Sequence, residues 1–125
     1  MSERIRSIQT LGFFQETLLA SAARTGNAVG DLLAGFGRAD TLRIELDVTA
    51  VTGTDPKLDV TLEDSLDGTT WNEIVAFTQA TGNTREVKDF TGPFTDNLRE
   101  RRIIQGTDTP TFTYSLKIHA SRGAR

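Results

Sequence analysis

Residues 41–51 read TLRIELDVTAV, and the order of these residues decides the fold. Leu42, Ile44, Leu46, Val48 and Ala50 fall on one side of an extended chain. Arg43, Glu45, Asp47 and Thr49 fall on the other. A period of two is the pattern of a strand that buries one face and wets the other, as in antiparallel sheets. KLDVTLE (57–63) repeats it, with Leu58, Val60 and Leu62 set against Asp59, Thr61 and Glu63. TFTYSLKIH (111–119) repeats it again, with Phe112, Tyr114, Leu116 and Ile118 set against Thr113, Ser115, Lys117 and His119. WNEIVAFT (71–78) and RERRIIQ (99–105) read as two further strands, and REVKDF (85–90) as a weaker one. The expected fold is all-β: an antiparallel β-sandwich of jelly-roll or immunoglobulin-like type, with an extended N-terminal arm.

An internal repeat supports this. GTDPKLDVTLE begins at Gly53 and GTDTPTFTYSLKI at Gly106, and each follows an apolar strand (DVTAV and RRIIQ). Glycine supplies a permissive backbone, and proline opens a return strand where its missing N–H costs least. Each unit therefore reads as a hairpin, one for each layer of the sandwich.

The N-terminal third is ambiguous. FFQETLLASAART (13–25) suits a helix with Phe14 and Leu18 one turn apart, and equally a strand with Phe14, Glu16, Leu18 and Ala20 on one face. Four glycines in GNAVGDLLAGFGRAD (26–40) argue against a long helix there. The expected organisation is an arm over residues 1–12, one sandwich domain over 13–121 and a short tail over 122–125. Arg4, Ile5, Arg6, Ile8, Leu11, Phe13 and Phe14 make the arm apolar with a basic tinge, suited to anchoring on a shell or a sister copy.

Composition bounds the function. A chain of 125 residues with 37% hydrophobic and 25% charged residues is one globular domain's worth. Its apolar runs are too short to span a bilayer, and the N-terminus lacks the apolar stretch of a secretory signal. There is no cysteine, so packing or association must hold the fold, and synthesis in a reducing cytoplasm is expected. Charge is segregated along the chain. Residues 41–73 hold eight acids against Arg43 and Lys57, whereas residues 97–125 hold six bases against Glu100 and Asp108. That segregation reads either as solvated strand faces or as complementary surfaces on which copies could dock.

LEDSLDGTTW (62–71) is the stretch richest in chemistry-bearing groups, with Glu63, Asp64 and Asp67 beside Gly68 and the sole tryptophan, Trp71. A calcium loop needs alternating carboxylates before its glycine, and Asp64-x-x-Asp67-Gly68 with Glu73 has the wrong spacing. The sole histidine, His119, sits on a polar strand face, and a zinc site or a serine triad built on it finds no companions. Glu45, Asp47, Asp59 and Glu63 could be imagined as a glycosidase pair, but alternation points them to solvent. No glycine-rich phosphate cradle is present, and RERR in an acidic chain is poor ground for nucleic acid. No enzyme, cofactor, metal, nucleic-acid or membrane partner is expected. In LEDSLDGTTW itself, Leu62 ends an inward set, Glu63 and Asp64 leave the sheet, and Asp67-Gly68 make the reversal. Trp71 suits a core edge, or the stacking platform of a carbohydrate-binding module.

LRIELDVTAVTGTDPKLDVTLEDSLDGTTWNEIVAFTQATG, followed by FTDNLRERRIIQGTDTPTFTYSLKI, resembles small proteins encoded among the head genes of tailed bacteriophages. The shared pattern is a strand, V-T-G-T-x-P-x-L-D-V, D-S-x-D-G-T-T-W, and an L-R strand leading to a second G-T-x-P-x-F-T-x-S unit. It runs from about Glu16 to Ile118, includes ETLLASAART, and departs from the pattern in GDLLAGFGRAD. The resemblance implies a non-enzymatic β-sandwich of the virion, foremost a capsid decoration protein on the outer shell. Its partners would be the major capsid protein and its own copies, as trimer or dimer. A tail or head-to-tail joining component is the alternative within that class. A glycan-binding adhesion module using Trp71 is the alternative outside it.

Overall fold

The computed structural model describes residues 13–37 and 39–121, the first two of them by their backbone alone. Six strands follow in chain order: β1 (Phe13–Arg24), β2 (Ala28–Val29), β3 (Thr41–Ser65), β4 (Asn72–Ala76), β5 (Thr84–Thr91) and β6 (Asn97–Ser121). All their pairings are antiparallel. β3 and β6, of 25 residues each, pair along almost their whole length, from Thr41↔Ser121 to Ser65↔Asn97. Their outer neighbours change midway. The first half of β3 lies between β5 and the second half of β6, which carries β1 on its far side. The second half of β3 lies between β4 and the first half of β6, which carries β2. The ribbon of β3 and β6 is thus folded over to form both layers of an antiparallel sandwich.

The fold-over falls at the two G-T-D repeats, and it corrects their reading as hairpins. Neither repeat reverses the chain. The two lie side by side, with Thr54 paired to Thr107, and carry β3 and β6 together from one layer to the other. The bend is made by left-handed backbone at Gly53 (φ 105°), Asp55 (54°), Gly106 (130°), Asp108 (61°) and Thr109 (50°). It is also crowded. A Cβ on Gly53 would stand 2.7 Å from the Pro110 Cα, and one on Gly106 would stand 2.9 Å from the carbonyls of Thr54 and Asp55. Turn chemistry alone does not distinguish a bend from a reversal; the partner strand does.

The alternating residues fill the core as their parity requires. Leu42, Ile44, Leu46 and Val48 face Leu58, Val60 and Leu62 across the layers, with Phe112, Tyr114, Leu116 and Ile118 completing the centre. Each such side chain contributes about 2 kcal/mol by leaving water. Ala50 breaks the expected series: a register shift after Val48 turns it out to solvent, and Val51 packs on the core instead. β1 settles the N-terminal ambiguity in favour of a strand. It covers the free edge of β6, and two register shifts allow the adjacent Leu18 and Leu19 both to be buried. Arg24 satisfies the irregular stretch by donating to the carbonyls of Ala20 (2.8 Å), Ala22 (3.1 Å) and Tyr114 (2.6 Å). Among its described residues the glycine-rich segment forms no helix: it supplies β2, a bridge from Leu33 to Leu98, and the fully buried Phe36. Of the expected anchor, Arg4, Ile5, Arg6, Ile8 and Leu11 lie outside the described residues. Phe13 and Phe14 begin β1, opposite Ser121 and Ala120.

Gly53→Ala and Gly106→Ala should each destabilise the protein by about 2 kcal/mol or more, since both combine positive φ with a steric overlap. Gly82→Ala, where an added Cβ meets nothing within 4 Å, should stay within about 0.5 kcal/mol of wild type. Urea unfolding midpoints for the three variants provide the comparison.

Candidate functional site

LEDSLDGTTW was the stretch most in need of a structural answer. β3 does not end at Leu62; Glu63, Asp64 and Ser65 stay in the sheet opposite Arg99, Leu98 and Asn97, and all three are buried. A register shift between β3 and β4 after Leu62 makes room for them. Glu63 accepts a hydrogen bond from Arg99 Nε at 2.8 Å. Asp64 accepts from the Thr95 N–H (2.7 Å) and the Thr95 hydroxyl (2.9 Å), tying the end of β3 to the segment before β6. Asp67 alone serves the turn. It accepts from the N–H groups of Thr70 and Thr69, both at 2.9 Å, and from the Ser65 hydroxyl at 3.0 Å. Gly68 (φ 83°) in turn donates its N–H to Ser65 Oγ. The Thr70 N–H first, and the Thr69 N–H next, hold the Asp67 carboxyl far below the usual carboxylate range. The three acids therefore answer to three separate sets of donors. Among the described residues, no three histidine, aspartate or glutamate side chains come together as metal ligands.

Trp71 is half-buried, and its neighbour is a cation. The Arg99 guanidinium lies 4.1 Å from the ring centroid while its Nε holds Glu63. One face of the ring, where a sugar would stack, is thus occupied. The indole packs on the strand face and takes no part in the hydrophobic core cluster.

The segregated charges also meet within the molecule. Residues 41–73 include β3 and residues 97–125 include β6, so strand pairing sets the acidic and basic segments beside each other. Across that pairing Arg99 bonds Glu63, while Arg43 forks onto Asp89 (2.7 and 3.0 Å) and Arg85 bonds Glu45 between β3 and β5. These hydrogen bonds lower the carboxyl pKa values of Asp89 and Glu45. Asp59 accepts from Gln79 at 3.0 Å. His119 borders a cleft of about 390 Å³ with Arg43, Glu45, Arg85 and Val87, on the wet face that alternation assigns it.

The molecule's buried polar cluster was not foreseen from the sequence. Glu100, fully buried, accepts a 2.6 Å bond from the Tyr114 hydroxyl and lies 3.6 Å from Arg102 Nε. Tyr114 comes from the other layer, so this bond crosses the sandwich. The Arg24 guanidinium closes over the Tyr114 ring at 4.7 Å. Gly30 lies against Glu100: a Cβ there would stand 3.1 Å from Oε1. Burial pushes the Glu100 carboxyl above its ordinary range, while the Tyr114 hydroxyl and the charges of Arg102 and Arg24 pull it back. The parity of β6 carried the signal, because Leu98, Glu100 and Arg102 share one face. The inward Tyr114 hydroxyl also had to find a partner.

No known family model matches the chain, and no curated protein matches it in sequence. Its fold is shared more widely. Superposition on the PBSX exported protein XepA gives a TM-score of 0.63 at 14% identity, over 90% of this chain and 38% of that one. The SPBc2 prophage-derived protein YomS gives 0.55 at 9% identity, over 86% of this chain and 91% of that one. The infectious bursal disease virus VP2 subviral particle gives 0.59 at 12% identity, over 97% of this chain and 33% of that one. The chain thus spans little more than a third of XepA and about a third of VP2, but nearly all of YomS. At these identities the likeness is one of fold: an all-β antiparallel sandwich.

Glu100→Ala should destabilise the protein by about 3–5 kcal/mol, because Arg102 is left buried without its counter-charge. Tyr114→Phe should cost about 1–3 kcal/mol through the lost donor to Glu100. Chemical denaturation at neutral pH measures both. Asp67 has a depressed carboxyl pKa, so its stabilisation is full above the usual carboxylate range and is lost as the solution is acidified. Asp67→Asn should therefore flatten the acid limb of a stability–pH curve. An acid limb as steep as that of wild type would show that Asp67 contributes nothing to it.

Proposed function

We propose that this chain is a non-enzymatic structural component of a bacteriophage virion, acting as a capsid decoration protein on the outer shell. The observation that carries the reading is the likeness of the sandwich to two phage-derived proteins, one of which it spans almost end to end. The head-gene resemblance of the sequence motifs points the same way. The side chains support a scaffold as well: the carboxylates of LEDSLDGTTW are committed to the sheet, a neighbouring segment and a turn.

A decoration protein binds the assembled shell across joints between capsid subunits, and so stabilises the assembled state by mass action. Its partner would be the major capsid protein, reached through the arm of residues 1–12, and its copies would gather as trimers or dimers about symmetry axes. A tail or joining role remains the neighbouring reading within the same class. Arg99 covers one face of the Trp71 ring and so weighs against the glycan reading.

Heads of the encoding phage that lack the protein provide the test. Added protein should co-sediment with them to saturation and raise the temperature at which they release DNA. Deleting residues 1–12 should weaken this binding by about tenfold or more while leaving the melting of the sandwich unchanged. Location of the labelled protein on tails, or glycan binding lost in Trp71→Ala without any affinity for heads, would overturn the decoration reading.

A further inference from the structure

The two outer faces of the sandwich differ in how far their charges are already committed. On the layer of β1 and β5, Arg43 holds Asp89 and Arg85 holds Glu45, so those charges are paired within the molecule. On the layer of β2 and β4, Arg101 is exposed, and no hydrogen bond or ion pair among the described residues uses its guanidinium. Val29 stands opposite it in the register and is 46% exposed. The two border a cleft of about 410 Å³ lined by Asn27, Ala28, Val29, Arg101, Arg102 and Ile103. Asn27 fixes one wall by accepting from the Ile104 N–H at 2.8 Å. Arg102 is buried beside Glu100, so Arg101 gives the cleft its cation, while Val29 and Ile103 give it an apolar lining. Asp59, which pairs with Ile103 across the ladder, accepts from Gln79 and does not line the cleft.

At one end of the same layer the chain offers a shape that such a cleft accepts. Leu66 is 79% exposed, the highest of any large apolar residue described. A lone exposed leucine is ordinary on a protein surface, but this one is held in place. The carbonyls of Ser65 and Leu66 accept from Asn97 Nδ2 at 3.0 and 3.5 Å. The next residue, Asp67, is fixed by the Ser65 hydroxyl and the N–H groups of Thr69 and Thr70. Those three bonds all end on Oδ1, so Oδ2 can still accept from a guanidinium. The turn thus presents a leucine and a carboxylate side by side, already ordered, where the cleft presents an apolar lining and an unpaired arginine. Ordering before contact lowers the entropic cost of association. Along β6, Asn97 beside the turn and Arg102 at the cleft are about 17 Å apart at the rise of an antiparallel strand. A two-fold axis crossing β6 midway, near Arg99, would bring each copy's turn to the other's cleft and give two equivalent contacts. The sheet edges favour such a contact over strand addition, since β2 has two residues and register shifts interrupt β1 and β4.

We propose that this chain forms a two-fold dimer in which the Leu66–Asp67 turn of each copy seats in the cleft of the other, Leu66 against Val29 and Ile103 and Asp67 on Arg101. The proposal is independent of the virion reading, since it is tested on the purified protein alone. Sedimentation velocity between about 1 and 100 µM should show a reversible monomer–dimer equilibrium. Leu66→Ser and Arg101→Glu should each weaken it by about tenfold or more, with unchanged thermal melts. The chain contains no cysteine, so introduced thiols report which surfaces meet. Under mild oxidation, a mixture of the Leu66→Cys and Val29→Cys variants should give a mixed disulfide dimer. Leu66→Cys alone should give none, because the two turns of one dimer lie too far apart to bridge. A wild-type protein that is monomeric at about 100 µM would overturn the proposal and leave the cleft to another occupant. So would dimerisation that neither Leu66→Ser nor Arg101→Glu weakens, or a Leu66→Cys thiol that pairs with its own kind and not with Val29→Cys.

Discussion

The unbroken pairing of β3 with β6 is the constraint on which the rest of this molecule depends. Each long strand supplies a central strand to both layers, so the layers are two regions of one ladder, not separate sheets brought together by packing. Every peripheral strand takes its place from that ladder: β1 and β2 along β6, β4 and β5 along β3. The demand falls on the corner, where two chains must bend in step. Left-handed conformations at Gly53 and Gly106 meet that demand, and the close approach of Pro110 to Gly53 leaves no room for a larger residue. A sandwich made in this way closes at the corner by covalent connection and needs side chains to close only elsewhere.

Those closures are polar as well as apolar. Tyr114 and Glu100 bond across the interior, and Arg24 and Arg102 bring charge to the same place from β1 and β6. Away from the corner, the Thr78 N–H and hydroxyl donate to Glu86 at 2.9 Å each, joining the chain beyond β4 to β5. Asp96 accepts from the N–H groups of Gly35 and Gly37, and so holds the segment between β2 and β3 against the start of β6. Hydrophobic burial supplies the bulk of the driving force, while these few directional bonds fix which loop sits where. The same distribution accounts for the acids of LEDSLDGTTW: Glu63 is committed to the Arg99 guanidinium, and Asp64 and Asp67 to backbone N–H groups.

What the sequence disclosed follows from the kind of signal each feature leaves. One-sided burial imposes a parity, and Leu42 to Val48, Leu58 to Leu62 and Phe112 to Ile118 obey it residue by residue. The repeats at Gly53 and Gly106 were recognisable, but their role was not. Glycine, aspartate and proline serve a bend and a reversal equally well, and only the distant partner selects between them. β1 was ambiguous because its apolar residues satisfy both the helical and the extended period, and the vacant edge of β6 decides the matter. Glu100 was hidden by its own chemistry. A carboxylate at an inward position reads as an error until the tyrosine that receives it, in the other layer, is identified. Trp71 was legible as a residue of consequence, yet its stacking on Arg99 depends on a pairing of strands far apart in sequence.

The continuous ladder also bears on how the chain finds its fold. Its two ends differ greatly in the length of chain they close off: Ser65 meets Asn97 across a modest loop, whereas Thr41 meets Ser121 across most of the protein. Loop-closure entropy favours the shorter span as the starting point, and each pair formed there shortens the effective loop for the next. Folding by this route would zip from the β4 layer toward the corner, turn it, and finish where β1 is laid down last. Such non-local β topologies fold slowly for their size. The corner glycines would then govern the rate at which the second layer forms as well as the stability of the finished sandwich.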